Sequence, residues 1–315
     1  MNQSKRSITA LFVLLLVTLV VAVGGCQKKS DKPVVALVMK SLANEFFKTM
    51  EEGAKAHQAE HANRYELKVV GMKDETDVTQ QIASVELMMA QDVNAIVIAP
   101  ADSKALVAVC KKAKDAGIIV VNIDNKLDAD ALKDKGITIP FVGPDNEQGA
   151  KLAGLYLSSR LNRDDKVAII EGAPNAYNGI QRKRGFEAAM IANGMNIVES
   201  LTGYWESDRA QPVASQIINK HPDLKAILCA NDSMALGAVA ALRDAGKLGE
   251  IHVVGFDNVE AIQRLLREGK VLCTVDQHAD QLAVYGIEYA LEMLAGRAPS
   301  ADKETPVDLI TAEAL

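Results

Sequence analysis

The sequence is short of cysteine, of positive charge and of tryptophan, and each shortage narrows what the protein does. It holds four cysteines, and the three that follow Cys26 are Cys110, Cys229 and Cys273. An odd number with no pair at metal-ligand spacing argues against a disulfide framework or a zinc site. These three read as small buried hydrophobes, with a single disulfide as the minor alternative. Basic side chains number 35 against 41 acidic ones, a net charge of −6. That balance excludes a protein that tracks nucleic-acid phosphates, which needs a basic stripe. No phosphate loop, metal motif, low-complexity tract or short structural repeat is present either, so neither a cofactor nor a metal is expected. Tryptophan occurs once, as Trp205.

Long apolar runs are also scarce, and the most prominent one stands at the start. Lys5 and Arg6 precede a nearly unbroken apolar stretch over 8–23. It is shorter than the roughly 20 residues of a spanning helix and leads into small residues, the pattern of a cleaved secretory signal. The stretch closes on Val23-Gly24-Gly25-Cys26, which resembles a bacterial lipobox. The resemblance implies cleavage after residue 25 and a diacylglyceryl group on the Cys26 thiol. An ordinary signal that happens to end at a cysteine is the alternative. Residues 26–33 are polar and read as a tether. Without Lys5 and Arg6 the 35 basic residues become 33, which against 41 acidic ones gives a net charge of −8. The expectation is therefore an exported protein, lipid-anchored on the periplasmic or cell-surface side of a membrane.

The remaining chain is too long for one typical domain and suits two. Strands are predicted over 34–39, 67–70, 95–98 and 118–123, alternating with helices over 44–61, 78–91 and 103–116. The rhythm then repeats, with helices over 145–161, 180–192, 208–220 and 233–245 and strands over 167–170, 197–201, 226–229, 251–255 and 271–275. The strand runs are β-branched and apolar on both faces, as in parallel sheets covered by helices on both sides. Such βα alternation predicts an α/β fold of two doubly wound parallel-sheet lobes. Residues 137–142 are placed to cross between the sheets, while a helix over 279–295 and a short strand over 307–310 return to lobes already built. The lobes expected are 34–142 with 278–306, and 143–277 with 307–315, joined by a multi-strand hinge.

In open α/β sheets ligands bind beyond the carboxyl ends of the strands. Asn44, Phe46 and Phe47 follow the first strand, and Asp124 and Asn125 follow the fourth. Trp205, Asn231, Asp257 and Gln277 follow strands of the second half. Carboxylates accept hydroxyl protons, amides donate and accept, and aromatic faces cover the C–H patches of a sugar ring. Each Asp or Asn is also a plausible helix cap or turn former, and the phenylalanines are plausible core residues. Trp205 sits in a polar Tyr-Trp-Glu-Ser-Asp loop, a poor context for core burial.

From residue 34 to about residue 310 the chain resembles the ribose-binding protein family of periplasmic sugar receptors, whose fold is periplasmic binding protein type I. The resemblance rests on 35–47 (VALVMKSLANEFF), 229–238 (CANDSMALGA), 253–257 (VVGFD) and 274–277 (TVDQ), in the same order and at the same spacing. It implies that Asn44, Phe46, Phe47 and Asp124 act from the first lobe and that Trp205 stacks on the opposite ring face. Arg182, with Arg184 as a neighbouring rival, would act from the second lobe. Asn231, Asp257 and Gln277 would complete the hydrogen bonds, whereas Asp232 would cap the helix beginning at Ser233. The chain departs from the ribose pattern at Asn125, where ribose binders carry arginine; asparagine offers fewer donors, so ribose itself is put in doubt.

The function this implies is an extracytoplasmic solute receptor, a monomer, that delivers a neutral monosaccharide or polyol to the membrane subunits of an ABC importer. The two carboxylates, Asp124 and Asp257, suit a neutral polyhydroxylated ligand better than an anion. The alternative is a sensor presenting its sugar-bound form to a chemotaxis or kinase receptor. A cytoplasmic regulator of the same fold is disfavoured, because a DNA-binding helix pair is missing before Pro33. The two carboxylates also resemble a glycosidase pair, yet no nucleophile with an activating base accompanies them, so no enzyme is expected.

Overall fold

The computed structural model describes residues 32–297 and 301–315; the expected signal segment and Cys26 lie outside them. The first half of the chain runs β1 (Val34–Ser41), α1 (Glu45–Glu60), β2 (Glu66–Met72), α2 (Val78–Ala90), β3 (Ala95–Ile98), α3 (Val107–Asp115), β4 (Ile119–Ile123), α4 (Ala129–Asp134) and β5 (Phe141–Pro144). The second runs α5 (Asn146–Ser158), β6 (Lys166–Glu171), α6 (Tyr177–Ala192), β7 (Asn196–Thr202), α7 (Ser207–Lys220), β8 (Ala226–Cys229), α8 (Asp232–Asp244), β9 (His252–Val254), α9 (Glu260–Arg267) and β10 (Cys273–Asp276). It ends with α10 (Ala279–Leu294), β11 (Lys303–Thr305) and β12 (Asp308–Thr311).

Among the described residues these strands form two six-stranded sheets, in the orders β11-β5-β4-β3-β1-β2 and β12-β10-β9-β8-β6-β7. All pairings are parallel except β10 with β12. The central strands β3 and β8 are buried along their whole length, which is why they read as unbroken apolar runs. In each sheet the strand order reverses once, between β1 and β3 and between β6 and β8, and such reversals open a crevice at the strand ends. The chain passes between the sheets three times: after β5, between β10 and α10, and between β11 and β12. α10 packs on α1 and on β3 and β4 of the first sheet.

Local chemistry explains where the elements differ from expectation. The helix predicted from residue 103 begins only at Val107, because Asp102 Oδ1 accepts from the backbone N–H of Lys104 and of Ala105 and holds a turn there. The segment 137–142 was expected to cross between sheets; its end instead forms β5, a strand of the first sheet. Cys110, Cys229 and Cys273 are buried free thiols, and burial raises all three pKa values, that of Cys110 to about 12.

Candidate functional site

The carboxyl ends of both sheets face each other. Lys40 is the penultimate residue of β1, which leads to Asn44, Phe46 and Phe47; β2 leads to Glu75 and β4 to Asp124. From the other sheet, β7 leads to Trp205, β8 to Asn231, β9 to Asp257 and β10 to Gln277, while α6 contributes Asn178 and Arg182. These twelve side chains enclose one gap of about 20 Å³, room for roughly one water molecule. The lobes are thus closed. Asn178 Nδ2 reaches Asp124 Oδ1 at 3.4 Å, Arg209 reaches Asp74 at 3.4 Å, and Glu45 Oε1 accepts from the N–H of Glu260 at 2.8 Å. A sugar-sized ligand enters only when the lobes part.

Charge is concentrated on both walls. Lys40 Nζ stands 2.9 Å from Asp124 Oδ2 and 4.0 Å from Glu75 Oε2, 5.3 Å from the centre of the Phe47 ring and 5.6 Å from that of Trp205. Asn44 Nδ2 donates to Glu75 Oε1 at 2.9 Å. Burial pushes the Glu75 carboxyl up to about 7, with Lys40 opposing the shift. Opposite, Arg182 donates to Asn146 Oδ1 at 2.8 Å and to the Ala230 carbonyl at 2.9 Å, and lies 3.5 Å from Asp257 Oδ1. Its guanidinium lies 3.7 Å from the centre of the Phe256 ring, and Gln277 Nε2 donates to Asp257 Oδ1 at 2.7 Å. Burial holds the Asp257 carboxyl well above its usual range, against the pull of Arg182. Arg182 Nη2 and Gln277 Oε1 are buried with no hydrogen-bond partner in the protein. One is a donor and the other an acceptor, the pair a hydroxyl group satisfies.

The backbone is strained where it delivers these groups. Asp124, Trp205 and Asp257 have φ of 59°, 72° and 126°. Such values are unfavourable for residues with a Cβ and are kept where the surroundings over-determine them. Trp205 is only 4% exposed. Its ring is seated by two glycines: a Cβ at Gly172 would lie 2.1 Å from it and one at Gly179 would lie 2.9 Å away.

Of the residues singled out from sequence, Asn44, Phe46, Phe47, Asp124, Arg182, Trp205, Asn231, Asp257 and Gln277 line the gap. Arg184, the rival of Arg182, is exposed. Asn125 does not line it. Its Oδ1 accepts from Ser103 Oγ at 3.3 Å and from the Asn178 N–H at 3.2 Å, and its Nδ2 donates to the Pro100 carbonyl at 2.8 Å. The left-handed turn at Asp124 sends the two side chains apart, so Asn125 anchors the loop. Asp232 does not cap α8 either; Asn231 does, accepting from the Met234 N–H at 2.9 Å. Asp232 accepts instead from Thr274 Oγ1 at 2.8 Å and from the Val259 N–H at 3.0 Å. Lys40, Glu75 and Asn178 went unread in the sequence. A lysine near the end of an apolar strand was the available signal, since a buried ammonium needs a partner.

A family model described as periplasmic binding protein domain matches residues 35–298. The D-ribose/D-allose-binding protein of Pseudomonas aeruginosa is 57% identical over 286 residues, 90% of each chain. The ribose import binding protein of Escherichia coli K12 is 30% identical over 278 residues, 88% of this chain and 90% of that one. Among solved structures, an ABC transporter periplasmic solute-binding protein from Actinobacillus succinogenes with bound D-allose is 34% identical, with a TM-score of 0.85 over 90% of this chain and 99% of that one. A solute-binding protein from Burkholderia multivorans is 54% identical, with a TM-score of 0.87 over 89% and 99%.

Proposed function

This chain belongs to the periplasmic binding protein family, and we propose that it is an exported receptor that closes on D-ribose, D-allose or a closely similar neutral sugar. It hands that sugar to the membrane subunits of an ABC importer. The observation that carries the reading is the pair of unpartnered buried atoms, Arg182 Nη2 and Gln277 Oε1, in a gap bounded by the rings of Phe46, Phe47 and Trp205. A ring with hydroxyls on its edge and C–H groups on its faces matches both. The positive charges of Lys40 and Arg182 stand among the carboxyls of Glu75, Asp124 and Asp257, which suits a neutral ligand.

Ribose and allose are put first because the relative at 57% identity is named for both. Asn125 no longer weighs against ribose, since its side-chain atoms are committed to Ser103, Pro100 and Asn178. Residues 34–142 with 278–306, and 143–277 with 307–315, act as the two jaws. Only their closed state gathers every contact to the ligand, so binding and closure are coupled. Cys26 carries the lipid that holds the monomeric receptor at the membrane.

The test is a thermal-shift screen with D-ribose, D-allose, myo-inositol, glutamate and phosphate. A ligand of the native state at 100 times its Kd adds about 2.7 kcal/mol of stability, a readily measured rise in Tm. Ribose or allose is expected to give that rise. Stabilisation by glutamate or phosphate alone would overturn the assignment.

A further inference from the structure

A second group of ligand-type side chains lies on the first lobe, away from the cleft. His57 occupies the last turn of α1 and His61 is its C-terminal cap, one turn further on. Glu288 of α10 faces them, with Oε1 3.0 Å from His57 Nε2. One ligand atom from each of the three residues lies within 4.8 Å of the others. The two imidazoles meet edge to face, centroids 4.4 Å apart. The two helices are held closely together, since a Cβ at Gly53 of α1 would lie 2.1 Å from the Asp280 carbonyl oxygen of α10.

We infer that His57, His61 and Glu288 form a binding site for a transition-metal dication of the zinc type, bridging α1 to α10. Two imidazoles and one carboxylate with an open fourth position are a donor set that suits zinc and its neighbours rather than magnesium or calcium. The surroundings supply the outer contacts such ligands need. The Tyr65 hydroxyl lies 2.9 Å from His57 Nδ1, so an Nδ1–H donated to it leaves the Nε2 lone pair for the metal. Arg64 holds both oxygens of Glu288, at 2.7 and 2.8 Å. It keeps Oε2 while Oε1 turns to the metal, as ligating carboxylates are commonly held. The C-terminal end of α1 also presents the negative pole of the helix to a cation. The Arg64 charge opposes the metal, but its side chain is 41% exposed and has room to withdraw.

The test uses the full chain after chelator treatment, titrated with ZnCl2 while Tm is followed, and with CoCl2 while visible d–d absorption is followed. Zinc is expected to raise Tm and cobalt to give the intense bands of a low-symmetry nitrogen–oxygen site; MgCl2 is expected to do neither. H61A and E288Q should weaken zinc binding by at least about tenfold, with H61Q as a second variant should H61A fold poorly. H278Q, which alters a histidine elsewhere, should bind as the parent does. An absent zinc shift, an equal shift in H61A or H61Q, or loss of the shift in H278Q would overturn the inference.

Discussion

The Lys40 ammonium stands 2.9 Å from the Asp124 carboxylate at the closed face of the first lobe, with the two side chains 4% and 2% exposed. A pair so buried is held by mutual dependence, because each charge is costly without the other. Lys40→Met leaves Asp124 and Glu75 without the ammonium that both now face. The expected loss is about 3 kcal/mol of stability at pH 8, read from urea unfolding. Lys40→Met with Asp124→Asn should recover part of it. A single variant as stable as the parent would show that the pair contributes little.

Trp205 and Gly172 are one unit in packing. Truncating a central aromatic anchor commonly costs about 2–4 kcal/mol of binding, so Trp205→Ala should weaken sugar affinity by roughly 30-fold or more. Gly172→Ala keeps the indole but places a Cβ where the ring now lies, 2.1 Å away, and pushes the ring into the gap. It should therefore also weaken binding, measured by calorimetry, although no ligand-facing side chain is removed. Parent-like affinity in Gly172→Ala would show that the indole relaxes without entering the cleft.

Glu75 gives the protein a pH dependence of definite sign. Its folded pKa of about 7 lies above the ordinary glutamate value of 4.5, so the folded state binds the proton more tightly than the unfolded state. Stability must then fall as pH rises from about 4.5 to about 7, by up to about 3 kcal/mol from this group. Glu75→Gln removes the contribution. Its Tm relative to the parent should be higher at pH 8 than at pH 5; a constant difference across that range would assign the dependence elsewhere.

The lipid anchor proposed at Cys26 has its own readout. Two acyl chains give stable membrane attachment, whereas the polar tether alone gives none. Cys26→Ser should move the protein from the membrane pellet to the soluble fraction, with sugar binding intact. Retention in the pellet would refute lipidation at this residue.

Strands such as β3 and β8 were legible because burial on both faces leaves a continuous apolar run, which polar loops interrupt sharply. The six-residue helix α4 and the three-residue β11 are too short to show a period, whereas α9 carries Ile262, Leu265 and Leu266 at helical spacing and was a readable signal that went unread. In the site, residues just past the strands stood out by position, while Arg182, inside α6, was legible only through the family resemblance. Asn125 and Asp232 misled for one reason: adjacent side chains past a strand point in different directions, and backbone dihedrals, which sequence does not display, choose between them. Glu75 and Asn178 were hidden because their partners, Lys40 and Asp124, lie far away in the chain.

Arg182 offers the sharpest test of the cleft chemistry, because its fork is only partly used within the protein. Nε and Nη1 are held by Asn146, Ala230 and Asp257, and these contacts aim Nη2 into the gap without a partner. Lysine keeps the positive charge but has one nitrogen, and cannot hold the wall and reach the ligand together. Arg182→Lys should therefore remain folded with a lowered Tm, since Asp257 retains a cation nearby. Sugar affinity should fall by at least about tenfold, the cost of leaving a hydroxyl and Gln277 Oε1 imperfectly paired in a buried site. Calorimetry against D-ribose and D-allose measures it, and unchanged affinity in a folded variant would remove the Arg182 fork from ligand recognition.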